Sequence, residues 1–241
     1  MQQISVIIPF YQREPGVLPR ALASIYAQDL KGVRLEVIVV DDASPVDAAG
    51  EIAAAGAPPE HVGLHLIRQA NGGPGAARNT GLAAVSPHSQ AIALLDSDDM
   101  WAPDHLRRAQ AALEAGLDLY FCNHCDLEGR SYFETPDVAA RLAALAGAEA
   151  TKGADLAACT PADLAAATAE IYLAHTSSIV FDPKVHGATR FDEVLRSAGE
   201  DHLFFLDLAL GARRCGFGRA CGVRLGRGVN IYGSAQTWGT P

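Results

Sequence analysis

Residues 91–99, Ala-Ile-Ala-Leu-Leu-Asp-Ser-Asp-Asp, pass without a break from a run of apolar side chains into three carboxylates. The apolar part predicts a strand over 91–95, buried on both faces as in a parallel sheet. Three carboxylates within four residues repel one another unless a cation or a hydrogen-bond donor neutralises them. In an open parallel sheet the carboxyl ends of the strands form the ligand-binding rim. Oxygen atoms gathered there suit a hard divalent cation, Mn2+ or Mg2+, and such a cation suits a diphosphate. The pattern points to a nucleotide-dependent enzyme.

The chain before this run alternates in the same sense. Residues 4–8 are rich in β-branched side chains and are closed by Pro9, the pattern of another buried strand. Leu18, Ala21, Leu22 and Ile25 then recur at i, i+3, i+4 and i+7, which predicts a helix with one apolar stripe. Strands follow at 35–40 and 63–67, with helices at 46–55 and 75–84. Strands separated by crossover helices predict a doubly wound α/β sheet. Pro103 and Asp104 start a further helix whose Leu106, Ala109 and Leu113 face the core, and a strand is expected over 117–122. Beyond Asn123 the alternation weakens. The alanine-rich stretch 137–174 predicts two helices, the second starting at Pro161 and Asp163. A strand at 177–181, a helix at 200–213 and a strand at 219–225 complete the pattern.

With 241 residues, 49% of them apolar, and no linker-like stretch, a single domain over 1–241 is expected. A net charge of −9 argues against a nucleic-acid binder and against a polybasic membrane patch, so the expected partners are small or neutral. No charged start followed by an apolar segment opens the chain, and no run is apolar enough to cross a membrane. A cytoplasmic, soluble protein is therefore expected. Five scattered cysteines do not suggest a disulfide framework. Cys122 and Cys125 flank His124 in a C-x-x-C, for which burial as small hydrophobes is favoured over redox or metal chemistry. A four-ligand zinc site with Cys215 and Cys221 is the least favoured alternative.

The residues that follow the predicted strands belong together at the rim. They are Pro9, Phe10 and Tyr11 after the first, Asp41, Asp42, Ala43 and Ser44 after the second, and Asp96, Ser97, Asp98 and Asp99 after the fourth. Tyr11 offers an aromatic face to a nucleobase, and Asp42 can accept a base N–H. Each residue alone is equally an ordinary loop residue or helix cap. The glycine-rich segment 71–81 enters a helix, but it follows the third strand and contains Pro74 and Arg78, so it fits a dinucleotide fingerprint poorly. Arg78 either projects toward a diphosphate or forms a structural salt bridge with a nearby carboxylate. If Asp96 caps a turn and Asp99 caps the next helix, Asp98 still remains for a cation.

Five motifs occur in order: Ile4-Ser-Val-Ile-Ile-Pro-Phe-Tyr11, Val39-Val-Asp-Asp-Ala-Ser44, Gly75-Ala-Ala-Arg-Asn-Thr-Gly81, Asp96-Ser-Asp-Asp99 and Gly199-Glu-Asp201. Together they closely resemble the GT-A fold glycosyltransferases of family 2, over residues 3–115 and again over 176–210. The resemblance implies a Rossmann-like nucleotide-sugar-binding half over 1–120, with a mainly parallel central sheet, and an acceptor-binding half over 121–241. It places Pro9, Tyr11 and Asp42 in the nucleoside pocket and Arg78 near it. Asp96 would contact the ribose and Asp98 the metal, with Asp99 as a neighbour. Phe191-Asp-Glu193 followed by Gly199-Glu-Asp201 resembles the acceptor-side signature, which makes Asp201 the general base.

Asp201 also opens a helix carrying Leu203 and Phe204, so its carboxylate can be partly withdrawn from water. The rival for Glu200 and Asp201 is simple decoration of a helix N-terminus. His175, Thr176 and Ser177 lie where the family passes near the donor sugar, although a buried, hydrogen-bonded histidine is the plainer expectation. The segment 226–232 departs from the family's basic pattern, which leaves Arg227 as its only phosphate candidate.

The expected activity is inverting transfer from a nucleotide diphosphate sugar, by family habit a UDP-sugar, to a hydroxyl of a saccharide or lipid-linked saccharide. A C-terminal extension beyond residue 241 is expected to supply acceptor contacts or peripheral membrane association. The competing classes are a noncatalytic sugar-nucleotide-binding domain, a nucleotidyltransferase and a nicotinamide dehydrogenase. Asp201 speaks against the first. The absence of a glycine-rich loop after the first strand speaks against the second, and the misplaced glycines speak against the third.

Overall fold

The computed structural model describes residues 2–146, 155–196 and 198–227. The first part is β1 (Gln3–Phe10), α1 (Leu18–Tyr26), β2 (Arg34–Asp41), α2 (Ala48–Ala54), β3 (Val62–Arg68), α3 (Pro74–Ala84) and β4 (Ala91–Leu94). The second is β5 (Met100–Trp101), α4 (His105–Glu114), β6 (Leu119–Cys125), α5 (Pro136–Ala146), β7 (Leu156–Cys159), α6 (Pro161–Glu170), β8 (Val180–Phe181), α7 (Pro183–His186), α8 (Glu200–Gly211) and β9 (Cys215–Arg224). Among the described residues the nine strands form one sheet in the order β3-β2-β1-β4-β8-β6-β9-β5, with β7 also paired to β9. Strands β3, β2, β1 and β4 run parallel. The two-residue β8 lies antiparallel between β4 and β6, whereas β6 and β9 are again parallel.

Strand periodicity explains the layers. Along β1 the side chains of Ile4, Val6 and Ile8 enter one core with Leu18, Leu22 and Ile25 of α1, while Ile7 enters the opposite core with Leu82, Ile92 and Phe204. The sheet is therefore covered on both sides, as its near-continuous apolar strands require. Residue 120, the expected boundary between halves, falls inside β6, so the sheet crosses it without interruption. Helix starts follow local chemistry. Asp47 accepts the N–H groups of Ala49 and Gly50 to cap α2. Thr160 accepts the Asp163 N–H at 3.1 Å ahead of Pro161 in α6.

Several expectations change. The strand expected over 177–181 is a 3-10 turn, Thr176–Ser178, followed by only two strand residues. The last strand begins at Cys215 rather than 219, and β7 and β5 are additions. Of the alanine-rich stretch, residues 147–154 lie outside the described residues. On α4 the buried positions are His105, Leu106, Ala109 and Ala112, with Leu113 only partly covered.

The cysteines also differ from expectation. Cys125 is joined to Cys221 in a disulfide that ties β6 to β9. Cys122 is buried and free, with its sulfur 3.5 Å from His105 Nδ1. Three residues apart on one strand, Cys122 and Cys125 project from opposite faces and cannot act as a C-x-x-C pair. Cys215 lies beside Cys159 with sulfurs 3.6 Å apart, so Cys215 and Cys221 belong to separate pairs and no four-ligand zinc site forms among the described residues.

Helix α3 packs on β1 at Gly81, where any Cβ would overlap the Cγ2 methyl of Ile7. Gly81→Val should therefore force the helix off the strand and lower stability by about 1–3 kcal/mol. A denaturant titration checks this, and an unchanged midpoint with an unchanged slope would contradict it.

Candidate active site

The chain leaves β4 at Leu95 and turns through Asp96-Ser-Asp-Asp99 at the carboxyl edge of the parallel strands. Ser177, fully buried, ties this turn together. Its hydroxyl accepts the Asp96 N–H at 3.0 Å and donates to Asp99 Oδ2 at 2.6 Å. Trp101 Nε1 fixes the Ser177 carbonyl at 2.7 Å, and the Gly226 N–H donates to Asp99 Oδ1 at 2.9 Å. His175 Nδ1 lies 3.4 Å from Asp99 Oδ2. Asp96, Asp99 and His175 can each bring one ligand atom to within 4.8 Å of the others.

Electrostatics mark the same group. Burial, together with the neighbouring Asp99 and Asp96 carboxylates, pushes the Asp98 carboxyl up to about 7. Burial raises Asp99 as well, although His175 and the Ser177 hydroxyl oppose the rise. Burial also works against ionisation of Asp96, yet the Arg78 guanidinium outweighs it and holds the carboxyl below its usual range. Two carboxylates and an imidazole that converge form a donor set suited to a hard or borderline divalent cation. Asp98, the expected metal ligand, stands beside this trio rather than in it, and Asp99 takes the converging position.

Arg78 is almost wholly buried and engaged at both ends. Its Nη2 donates to Asp96 Oδ1 at 2.7 Å and its Nη1 to Glu200 Oε1 at 3.0 Å. Burial disfavours its charge, but Asp96 and Glu200 more than compensate and keep it protonated. Of the two roles open to it in the sequence, the structure shows the salt bridge, with two carboxylates instead of one. The guanidinium also lies 5.1 Å from the centre of the Phe191 ring, which stacks on Phe204 at 3.8 Å. Asn79, the next residue on α3, clamps the Phe191 backbone. Its Nδ2 donates to the Phe191 carbonyl at 2.9 Å, and its Oδ1 accepts the Phe191 N–H at 2.8 Å. Thus Arg78 and Asn79 join the parallel half of the sheet to the segment leading into α8.

At the other strand ends, Pro9 and Tyr11 are buried beside β2. The neighbouring Gln12 donates its side-chain amide to Ser97 Oγ at 3.0 Å, linking the first rim segment to the acidic turn. Asp42 is fully buried and holds the glycine-rich loop. Its Oδ1 accepts from Gln69 Nε2 at 2.7 Å and the Gly72 N–H at 2.8 Å, and its Oδ2 accepts the Gly73 N–H at 2.9 Å. Gly73 has φ +95, a conformation that a side chain would strain.

Asp201 lies in the first turn of α8, next to Glu200 and hence next to the Arg78 bridge. Its Oδ1 accepts the His202 N–H and its Oδ2 accepts the Tyr172 phenol, both at 2.8 Å. Arg78 is bonded to both Asp96 and Glu200, so the acidic turn and the start of α8 are held side by side. Sequence reasoning overlooked Glu200 as the partner of Arg78 and Tyr172 as the partner of Asp201. Neither pairing leaves a local signal, since the partners are 122 and 29 residues apart. Arg227 is exposed, and residues 228–232 of the departing segment lie outside the described residues.

Comparison with known proteins agrees with this arrangement. Residues 5–140, more than half of the chain, match the family described as Glycosyl transferase family 2. Succinoglycan biosynthesis protein ExoW of Rhizobium meliloti is 38% identical over 236 residues, covering 97% of this chain and 72% of its own length. Succinoglycan biosynthesis protein ExoO of the same organism is 44% identical over 131 residues, 53% of this chain and 35% of its own. Among solved structures, S. aureus TarS 1-349 in complex with UDP-GlcNAc aligns over 98% of this chain and 62% of that one, with a TM-score of 0.73 and 21% identity. The mannosyltransferase PcManGT from Pyrobaculum calidifontis, in complex with GDP-Man and Mn2+, aligns over 95% of this chain and 58% of that one, with a TM-score of 0.64 and 20% identity. The chain thus spans less than two thirds of ExoO and of both solved structures. By its matched sequence, its mainly parallel mixed sheet and its acidic rim, the chain belongs to glycosyltransferase family 2 and has the GT-A fold.

Proposed function

We propose that this protein is an inverting glycosyltransferase that moves a sugar from a UDP-sugar to a hydroxyl of a saccharide or lipid-linked saccharide, in the assembly of a polysaccharide. One observation carries the reading: Arg78 bridges Asp96 and Glu200, which holds the acidic turn after β4 beside the Asp201 end of α8. The succinoglycan relatives support a polysaccharide product, and the UDP-GlcNAc held by TarS supports a uridine nucleotide.

Pro9 and Tyr11 are assigned to the nucleoside side of the cleft, with Asp42 fixing the loop that borders it. Asp42 accepts three N–H groups from that loop. Asp96 faces the ribose. Asp96, Asp99 and His175 are the residues that would hold a divalent cation, with Asp98 as a fourth candidate, and the Mn2+ of PcManGT accords with that donor set. When bound, such an ion offsets the charge of the departing nucleoside diphosphate. Asp201 takes the proton from the acceptor hydroxyl, whose oxygen attacks the anomeric carbon from the face opposite the leaving group. One displacement of this kind inverts the configuration. Holding donor and acceptor together in the cleft lowers the entropic part of the barrier as well.

A panel of UDP- and GDP-sugars with Mn2+, scored for release of nucleoside diphosphate, is the primary test. A β-linked product from an α-linked donor, seen by NMR, is expected, and retention of configuration would end the single-displacement scheme. Asp201→Asn should keep nucleotide binding and lower turnover by about 10²–10⁴-fold. For Asp99→Ala the expected loss is different: UDP binding measured by calorimetry should cease to respond to Mn2+. Replacing Arg78 with Leu strands two buried carboxylates and should cost about 3–5 kcal/mol in a denaturant titration.

A further inference from the structure

Tyr172 follows α6 and reaches the start of α8. Its phenol donates to Asp201 Oδ2 at 2.8 Å, while the His202 N–H occupies Oδ1 at the same distance. Both oxygens of the carboxylate are thus fixed, and an ionised carboxylate so held keeps its remaining lone pairs in a set direction. Tyr172 is itself anchored. Tyr132 donates its hydroxyl to the Tyr172 carbonyl at 2.5 Å, and the Tyr132 ring stacks on His124 of β6 at 4.4 Å. The Tyr172 ring lies 5.8 Å from that of His202, whose Nε2 sits 2.6 Å from the Thr168 carbonyl on α6. Burial and the Asp201 carboxylate push the phenol well above its ordinary range, so it serves Asp201 only as a donor.

We propose that Tyr172, held in place by Tyr132, is a positioning residue that aims the Asp201 carboxylate at the acceptor hydroxyl. The inference rests on the assignment of Asp201 as general base. Its chemical content is orientation: without the phenol, Oδ2 loses its fixed partner and the carboxylate can rotate away from the proton it must take. General-base transfer needs heavy-atom separations near 3 Å, so a rotation of this size is felt in turnover before it is felt in binding.

The test uses Tyr172→Phe, which keeps the ring and removes the donor. With Mn2+ and the UDP-sugar turned over fastest in the panel above, kcat should fall roughly 10-fold to 100-fold while KM for the donor and the calorimetric Kd for UDP stay unchanged. In an Asp201→Asn background the same substitution should have no further effect, because both changes act through one carboxylate. An unchanged kcat for Tyr172→Phe would overturn the proposal. So would a fall of equal factor in the Asp201→Asn background, which marks an independent structural role. Tyr132→Phe, which frees the Tyr172 carbonyl and leaves the phenol, provides the second variant if Tyr172→Phe does not fold. A smaller drop in kcat at constant KM supports the anchor, and wild-type kcat removes it. Wild-type turnover by Asp201→Asn would instead defeat the general-base assignment, whatever Tyr172→Phe does.

Discussion

A buried arginine between two carboxylates governs the geometry of the cleft. Arg78 stands on α3, Asp96 on the turn after β4, and Glu200 at the start of α8, so one guanidinium joins elements that meet nowhere else in the sequence. Taking such charges out of water is unfavourable unless each is paired, and replacing buried ion pairs with apolar groups often stabilises a protein. Here the Arg78 Nε finds no partner among the described residues, so the arrangement is not the most stabilising one available. Its value lies in registry. It fixes the turn after β4 relative to the start of α8.

Around this bridge the acidic groups divide into two kinds. Asp42, Asp96 and Glu200 are satisfied by donors from the protein itself, through backbone N–H groups or the guanidinium. Burial raises Asp98, with Asp99 and Asp96 adding to the rise, and it raises Asp99 even though the Ser177 hydroxyl and the Gly226 N–H donate to that carboxylate.

Much of this is legible in the amino-acid sequence. The parallel half follows from β-branched runs and helical stripes: Ile4, Val6 and Ile8 alternate with Ile7 across the sheet as their period requires. The rim motifs follow too, because strand ends in such a sheet all point one way. What stays hidden has a common physical cause. Strands β5 and β8 have two residues each, too few to show a period, and β7 is a four-residue strand inside an alanine-rich stretch that favours helix. The position of Asp99 depends on Ser177 and Gly226, which are 78 and 127 residues away. The Cys125–Cys221 link spans 96 residues and depends on the pairing of β6 with β9, which the sequence does not announce.

The contact of Gly81 with Ile7 has a mechanical meaning for the rest of the molecule. Gly81 sits on the same helix as Arg78, three residues further on, and with no side chain of its own it lets the helix settle onto the Ile7 side chain of β1. The position of the guanidinium is therefore coupled to the packing of α3 on β1. A single missing methyl group sets the tolerance to which two distant acids are machined.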